Sequence, residues 1–98
     1  MNLTVSEIQI IPVKPREGLV AFCSFVLNGS FYCGDIRIFT KLDEPGYRLS
    51  YPFKILGTTG RKIYICHPLN SETEKSISDQ VITKYEELLE KDIQGGRR

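Results

Sequence analysis

The stretch "GLVAFCSFVLNGSFYCGDIRIF", residues 18–39, holds two apolar runs separated by Asn28-Gly29. A type I′ turn requires positive φ at both central residues, which Asn and Gly tolerate, so the pair predicts a β-hairpin. A two-residue turn also fixes register. Leu27 is expected opposite Ser30, Phe25 opposite Tyr32, Cys23 opposite Gly34, Ala21 opposite Ile36 and Leu19 opposite Ile38. That face is apolar apart from one tyrosine hydroxyl. The other face pairs Val26 with Phe31, Ser24 with Cys33, Phe22 with Asp35 and Val20 with Arg37. In this register Cys23 and Cys33 point to opposite faces, which rules out a disulfide between them.

The rest of the chain is read outward from this hairpin. Residues 3–13, "LTVSEIQIIPV", are rich in β-branched residues but alternate imperfectly, and Pro12 suits an edge or a strand end. Glu44-Pro45-Gly46 has Pro and Gly where a type II turn wants them. "YRLSY" (47–51) alternates as a strand should, and Pro52 ends it. "FKILGTTG" (53–60) is expected as a loop closed by Gly57 and Gly60, and "RKIYIC" (61–66) as a short final strand. Ser71-Glu72-Thr73-Glu74 matches a capping box with Ser71 as the cap, Asn70 being the alternative one residue earlier. Ile77, Val81, Tyr85 and Leu88, widened by Ile82 and Leu89, then recur at helical spacing, and Gly95 suits a terminator. The fold class is α+β: a small antiparallel sheet of about five strands followed by one long C-terminal amphipathic helix, with the apolar faces buried against each other. Residues 1–94 are expected to form a single domain and residues 95–98 a disordered tail.

Size and composition narrow the function. A chain of 98 residues supports one modest core, and 41% hydrophobic with 26% charged residues is ordinary for a globular domain. Thirteen basic against twelve acidic side chains leave a net charge of +1, so contact with a polyanion must come from a local patch. No run approaches the ~20 apolar residues of a membrane span. The N-terminus "MNLTVSEI" lacks the basic and apolar regions of a signal peptide. A cytoplasmic location is therefore expected, with all three cysteines as free thiols.

Chemistry-bearing patterns are sparse. Cys66-His67 joins one cysteine to the only histidine, but zinc needs three or four ligands and no C-x-x-C or second histidine exists. A Cys–His catalytic pair must meet side chain to side chain, whereas adjacent strand residues diverge. "HPLNSET" instead reads as a joint, in which Pro68 stops strand pairing before the helix starts. Asp35 and Arg37 share a strand face and are expected to form a surface ion pair. With no paired carboxylates, phosphate-binding glycine loop or nucleophile elbow, an enzyme is not expected, nor are a catalytic site, a metal, a cofactor or a small-molecule substrate.

Charge is distributed unevenly: residues 1–70 carry net +3 and residues 71–92 net −4. Lys54, Arg61 and Lys62 bracket one loop with Phe53 and Tyr64 nearby, a composition able to neutralise phosphates and stack bases. One helix cannot cover both sheet faces, so Phe22, Val26 and Phe31 are expected to form a homodimer interface.

"SFVLNGSFYCGDIRIF" (24–39), Pro52-Phe53-Lys54 and "HPLNSETEKSISDQVITKYEEL" (67–88) together resemble the SpoVG family of small bacterial regulators. The matching elements are Asp35-Ile36-Arg37-Ile38, Pro52 with Lys54, His67-Pro68-Leu69-Asn70-Ser71 and Lys84-Tyr85-Glu86, so the likeness covers roughly residues 3–89. Gly34 stands where the family pattern has histidine, and Phe53 and Ile55 flank a single lysine where it has a basic run. The resemblance implies a cytoplasmic homodimer, without enzymatic activity, that binds DNA or RNA and regulates gene expression, tied in spore formers to septation and sporulation. The alternative is a non-enzymatic homodimeric protein-interaction module using the apolar sheet face.

Overall fold

A computed structural model describes residues 3–94, with side chains through Lys91; Gly95 and the 95–98 tail lie outside the described residues. Strands β1 (Val5–Arg16), β2 (Leu19–Leu27), β3 (Phe31–Thr40) and β4 (Tyr47–Ser50) form an antiparallel sheet in sequence order. Strands β5 (Phe53–Ile55) and β6 (Lys62–Tyr64) pair only with each other, and helix α1 spans Ser71–Gln94. The α+β architecture expected from the sequence is thus the observed one. The predicted loop at 53–60, however, begins as a strand. Pro52 has no N–H to continue the main ladder, so the chain leaves the sheet and folds back on itself as a separate hairpin.

The central hairpin forms with positive φ at Asn28 (49°) and Gly29 (70°), as a type I′ turn requires. Its register differs from expectation. Ser30 remains in the turn, its N–H bonded to the Leu27 carbonyl at 3.1 Å, and pairing starts at Leu27–Phe31. Phe25 therefore faces Cys33, and Val26 faces Tyr32. A bulge follows in which Ser24 alone spans Gly34 and Asp35, Asp35 taking a φ of 57°. Beyond it Cys23 faces Ile36 and Ala21 faces Ile38. The one-residue displacement at the turn reverses the faces of Phe31–Cys33, and the bulge reverses them again. Ile36 and Ile38 point inward as expected, but Cys33 joins them and Tyr32 is 70% exposed. Cys23 and Cys33 consequently share the core face, contrary to the sequence reading, and both are free thiols.

Edge strand β1 tolerates Pro12 because its outer side has no ladder to supply. It connects to β2 through Glu17-Gly18, both at positive φ. Helix α1 lies across the inner sheet face, touching β1 and β4. Ile77, Val81 and Tyr85 pack onto Phe25, Ile36 and Ile38, and the Tyr85 ring meets Tyr47 edge-on at 5.1 Å. Each fully buried side chain of this kind stabilises the fold by about 1.5–3 kcal/mol. The predicted stripe weakens toward its end, where Leu88 and Leu89 are each 36% exposed.

The helix cap is Asn70, not Ser71. The Thr73 N–H donates to Asn70 Oδ1 at 2.8 Å, and the Glu74 N–H to the Asn70 carbonyl at 3.1 Å. Glu74 does not reach back; its Oε2 accepts from Ser78 Oγ at 2.8 Å. Asn70→Ala should therefore cost about 1 kcal/mol, while Ser71→Ala changes stability by a few tenths at most. Denaturant melts of the two variants check this, and an equal loss from both would overturn the assignment.

Burial raises the Cys23 thiol to about 12, and burial together with the neighbouring Cys66 thiol raises Cys33 to about 11, from an ordinary value of 9.0. The folded state thus holds these protons more tightly than the unfolded chain. Stability is unaffected below about pH 9 and falls as pH climbs through 9–11, by at most about 1.4 kcal/mol per pH unit and per thiol. Urea unfolding at pH 8 and 10.5 in reductant should show the loss, and Cys23→Ala should reduce its steepness. Equal steepness in that variant would exclude Cys23 as a source.

Candidate nucleic-acid interface

The β5–β6 hairpin is an arm with little support beyond its own ladder. Its six strand residues are all exposed, and its tip is closed by bonds from the Leu56 N–H to the Arg61 carbonyl (2.9 Å) and from the Gly60 N–H to the Leu56 carbonyl (2.8 Å). The Ile65 N–H donates to the Pro52 carbonyl at 2.9 Å and ties the base together. An isolated two-stranded hairpin is marginally stable in water, so side-chain packing on its faces matters.

That packing joins cations to aromatics. Phe53 lies opposite Tyr64, and their rings meet edge-on at 6.0 Å. The Lys62 ammonium sits 4.3 Å from the Phe53 ring centre and 5.5 Å from that of Tyr64. Such exposed contacts are worth about 0.5–1 kcal/mol. The His67 ring extends the row, 4.8 Å from Tyr64, and its Nδ1–H donates to the Pro68 carbonyl at 2.7 Å. Phe53 and Tyr64 remain 39% and 45% exposed, available to stack a planar group.

The three cations named from the sequence do not share one face. Lys54 lies opposite Ile63 on one side of the arm, whereas Lys62 belongs to the side carrying Phe53 and Tyr64. Arg61 stands at the tip, its N–H bonded to Thr59 Oγ1 at 3.2 Å. Among the described residues, none of the three is within 4.0 Å of a carboxylate; the ion pairs found there are Lys41–Glu44 and Lys75–Asp79. All three charges therefore remain open to a polyanion from different directions.

The outer face of the main sheet repeats the pairing of guanidinium with ring. Arg37 lies over Phe22 at 5.6 Å, and Arg48 over Phe39 at 4.7 Å. The expected Asp35–Arg37 ion pair is not formed, because the bulge turns Asp35 out of the regular alternation. Arg37 and Phe53 border one depression, so the sheet face continues into the base of the arm. Arg48 was not singled out from sequence, although the alternation in "YRLSY" already placed it outward.

Of the expected interface residues, Phe22 and Val26 lie half-buried on this outer face. Phe31 does not join them. The displaced register puts it opposite Leu27 on the inner side, 61% exposed beside His67 and Leu69. Cys66 and His67 are not assembled as a pair: Cys66 turns inward to the Cys33 thiol, and His67 outward to Tyr64.

Comparison with known proteins places nearly the whole chain in one family. The SpoVG family model matches residues 3–87. A septation protein SpoVG of Phytoplasma australiense is 27% identical over 92 residues, covering 94% of this chain and 93% of that protein. The septation protein SpoVG of Onion yellows phytoplasma is 30% identical over 88 residues, covering 90% and 86%. A septation protein SpoVG 2 of Listeria monocytogenes is 28% identical over 90 residues, covering 92% and 85%. With nearly the whole chain matched from β1 into α1, the protein belongs to the SpoVG family.

Proposed function

We propose that this protein is a non-enzymatic, cytoplasmic regulator of gene expression, linked to septation and sporulation, that acts as a homodimer binding DNA or RNA. The link to septation rests on its family and on the names its relatives carry. The observation that carries nucleic-acid binding is the β5–β6 arm, where Lys62 lies against the exposed rings of Phe53 and Tyr64 while Lys54 and Arg61 have no carboxylate within 4.0 Å among the described residues. Lys54, Arg61 and Lys62 neutralise phosphates, which positions the strand without reading its sequence. Phe53 and Tyr64 stack unpaired bases.

Fluorescence anisotropy on labelled single- and double-stranded DNA and RNA, at several salt concentrations, tests this. Affinity should fall steeply with salt, and each of Lys54→Ala, Arg61→Ala and Lys62→Ala should lower the log–log slope by about one. Phe53→Ala with Tyr64→Ala should weaken single-stranded binding far more than double-stranded binding. Salt-insensitive binding, or no binding to any of the four, would sink the proposal.

A homodimer on the outer face of the main sheet is the second element. Phe22 and Val26 there are half-buried, and Ile11, in line with Phe22, is 63% exposed. A twofold interface would cover this row with its own copy. Val26→Glu should shift light scattering toward the 11.2 kDa monomer, while Phe31→Glu, on the other side, should not. A wild-type monomer at micromolar concentrations would remove the dimer.

A further inference from the structure

Two of the three cysteines come together from distant parts of the chain. Cys33 is on β3 and Cys66 lies between β6 and α1, yet both line one cavity beneath the end of the central hairpin. Both also belong to the core, Cys33 as a buried member and Cys66 packed against it half-buried. The backbone accounts for the meeting. The displaced register at the turn carries Cys33 to the inner face, opposite Phe25. The Ile65 N–H, bonded to the Pro52 carbonyl at 2.9 Å, holds the next residue, Cys66, beside the end of β4. After burial, the Cys66 thiol is what raises Cys33. Cys23 stands apart: it is 3% exposed, does not line that cavity, and its thiol is raised by burial alone.

The two positions differ in a way that suits disulfide chemistry. Half-buried Cys66 is open to a small oxidant, whereas Cys33, 6% exposed, is left to react with its neighbour. Cys33 is fixed in the ladder, while Cys66 lies outside every strand and helix. The backbone at Cys66 can therefore adjust to the Cα separation of about 4.4–6.8 Å that a disulfide needs.

We propose that Cys33 and Cys66 form a site of reversible oxidation, closed to a disulfide by hydrogen peroxide, which ties the base of the β5–β6 arm to β3. The Cys66 sulfur, giving up its proton, attacks one peroxide oxygen. An S–O bond forms, the O–O bond breaks, and the other oxygen leaves as water. The Cys33 sulfur then loses its proton and attacks the Cys66 sulfur, displacing the hydroxyl as a second water. Two thiols are oxidised by two electrons in all, and the peroxide is reduced to two waters. A small dithiol reverses the bond by attacking the Cys66 sulfur and releasing Cys33. The site does not depend on what the arm binds.

Reduced full-length protein, freed of reductant and treated with hydrogen peroxide, should keep one alkylatable thiol of its three, at Cys23. Its intact mass should fall by two hydrogens, and proteolysis should yield linked peptides holding Cys33 and Cys66. Dithiothreitol should restore all three thiols. Circular dichroism checks that the linked protein is folded, and amide exchange at Ile65, next to Cys66, should be slower in it than in the reduced form. Cys23→Ser should form the same link, and Cys66→Ser should leave Cys33 reduced. A link through Cys23, a covalent dimer in place of the internal bond, or a link formed only in denaturant would overturn the proposal. So would three intact thiols after millimolar peroxide, Cys66 driven to sulfinic acid with Cys33 still a thiol, or unchanged Ile65 exchange in the linked protein.

Discussion

Between Cys33 and Ile36, strand β3 fits two residues against Ser24 alone, and the organisation of the core depends on that bulge. Phe31 and Cys33 on one side of it, and Ile36 and Ile38 on the other, can face the same side only because the alternation is broken once in the middle. Without the break, whichever end of β3 faced the helix would turn the other end's apolar residues to solvent. Asp35 takes the positive φ that the bulge needs, as Asp tolerates better than most residues. Gly34 leaves room beside it for the Tyr32 ring, whose atoms come within 3.0 Å of where a Cβ at Gly34 would sit. A histidine at that position, as in the family pattern, requires Tyr32 to move.

With the inner face unified, one helix suffices to close it. Ile77, Val81 and Tyr85 supply the lid, and Asn70 sets where that lid begins. The outer face is handled differently. Arg37 and Arg48 lay their guanidinium groups over Phe22 and Phe39, so charged side chains shelter part of the apolar surface that the helix cannot reach. The same device recurs on the arm with Lys62, Phe53 and Tyr64. Cation and ring thus share a task at each place: the ring is partly shielded while the charge stays at the surface.

Pro52 links these parts. By ending β4 it lets the chain depart from the main sheet, and by accepting from the Ile65 N–H it anchors the returning strand. Tyr51, the residue before it, is held in the core, while Phe53, the residue after it, is already on the exposed arm. A single peptide stretch therefore joins the core to the candidate phosphate-contacting arm.

Local chemistry in the sequence determined the elements. Asn28-Gly29 specified a turn with two positive φ values, the 3.6-residue spacing of Ile77, Val81 and Tyr85 specified the helix face, and Pro52 specified a strand end. The arm's three cations and two aromatics were likewise legible, because they fall within twelve residues of one another. Tertiary structure decided what depends on partners distant in sequence. Whether Ser30 joins the ladder, and whether Cys33 or Tyr32 turns inward, depends on which alternative lets Ile36 and Ile38 meet the helix, so no local signal records it. The choice of Asn70 over Ser71 as cap followed from where the helix docks, since both residues offer a suitable oxygen. The pairing of 53–55 with 62–64 was hidden for a similar reason: a three-residue strand carries too little periodicity to be told from a loop until its partner is seen opposite it.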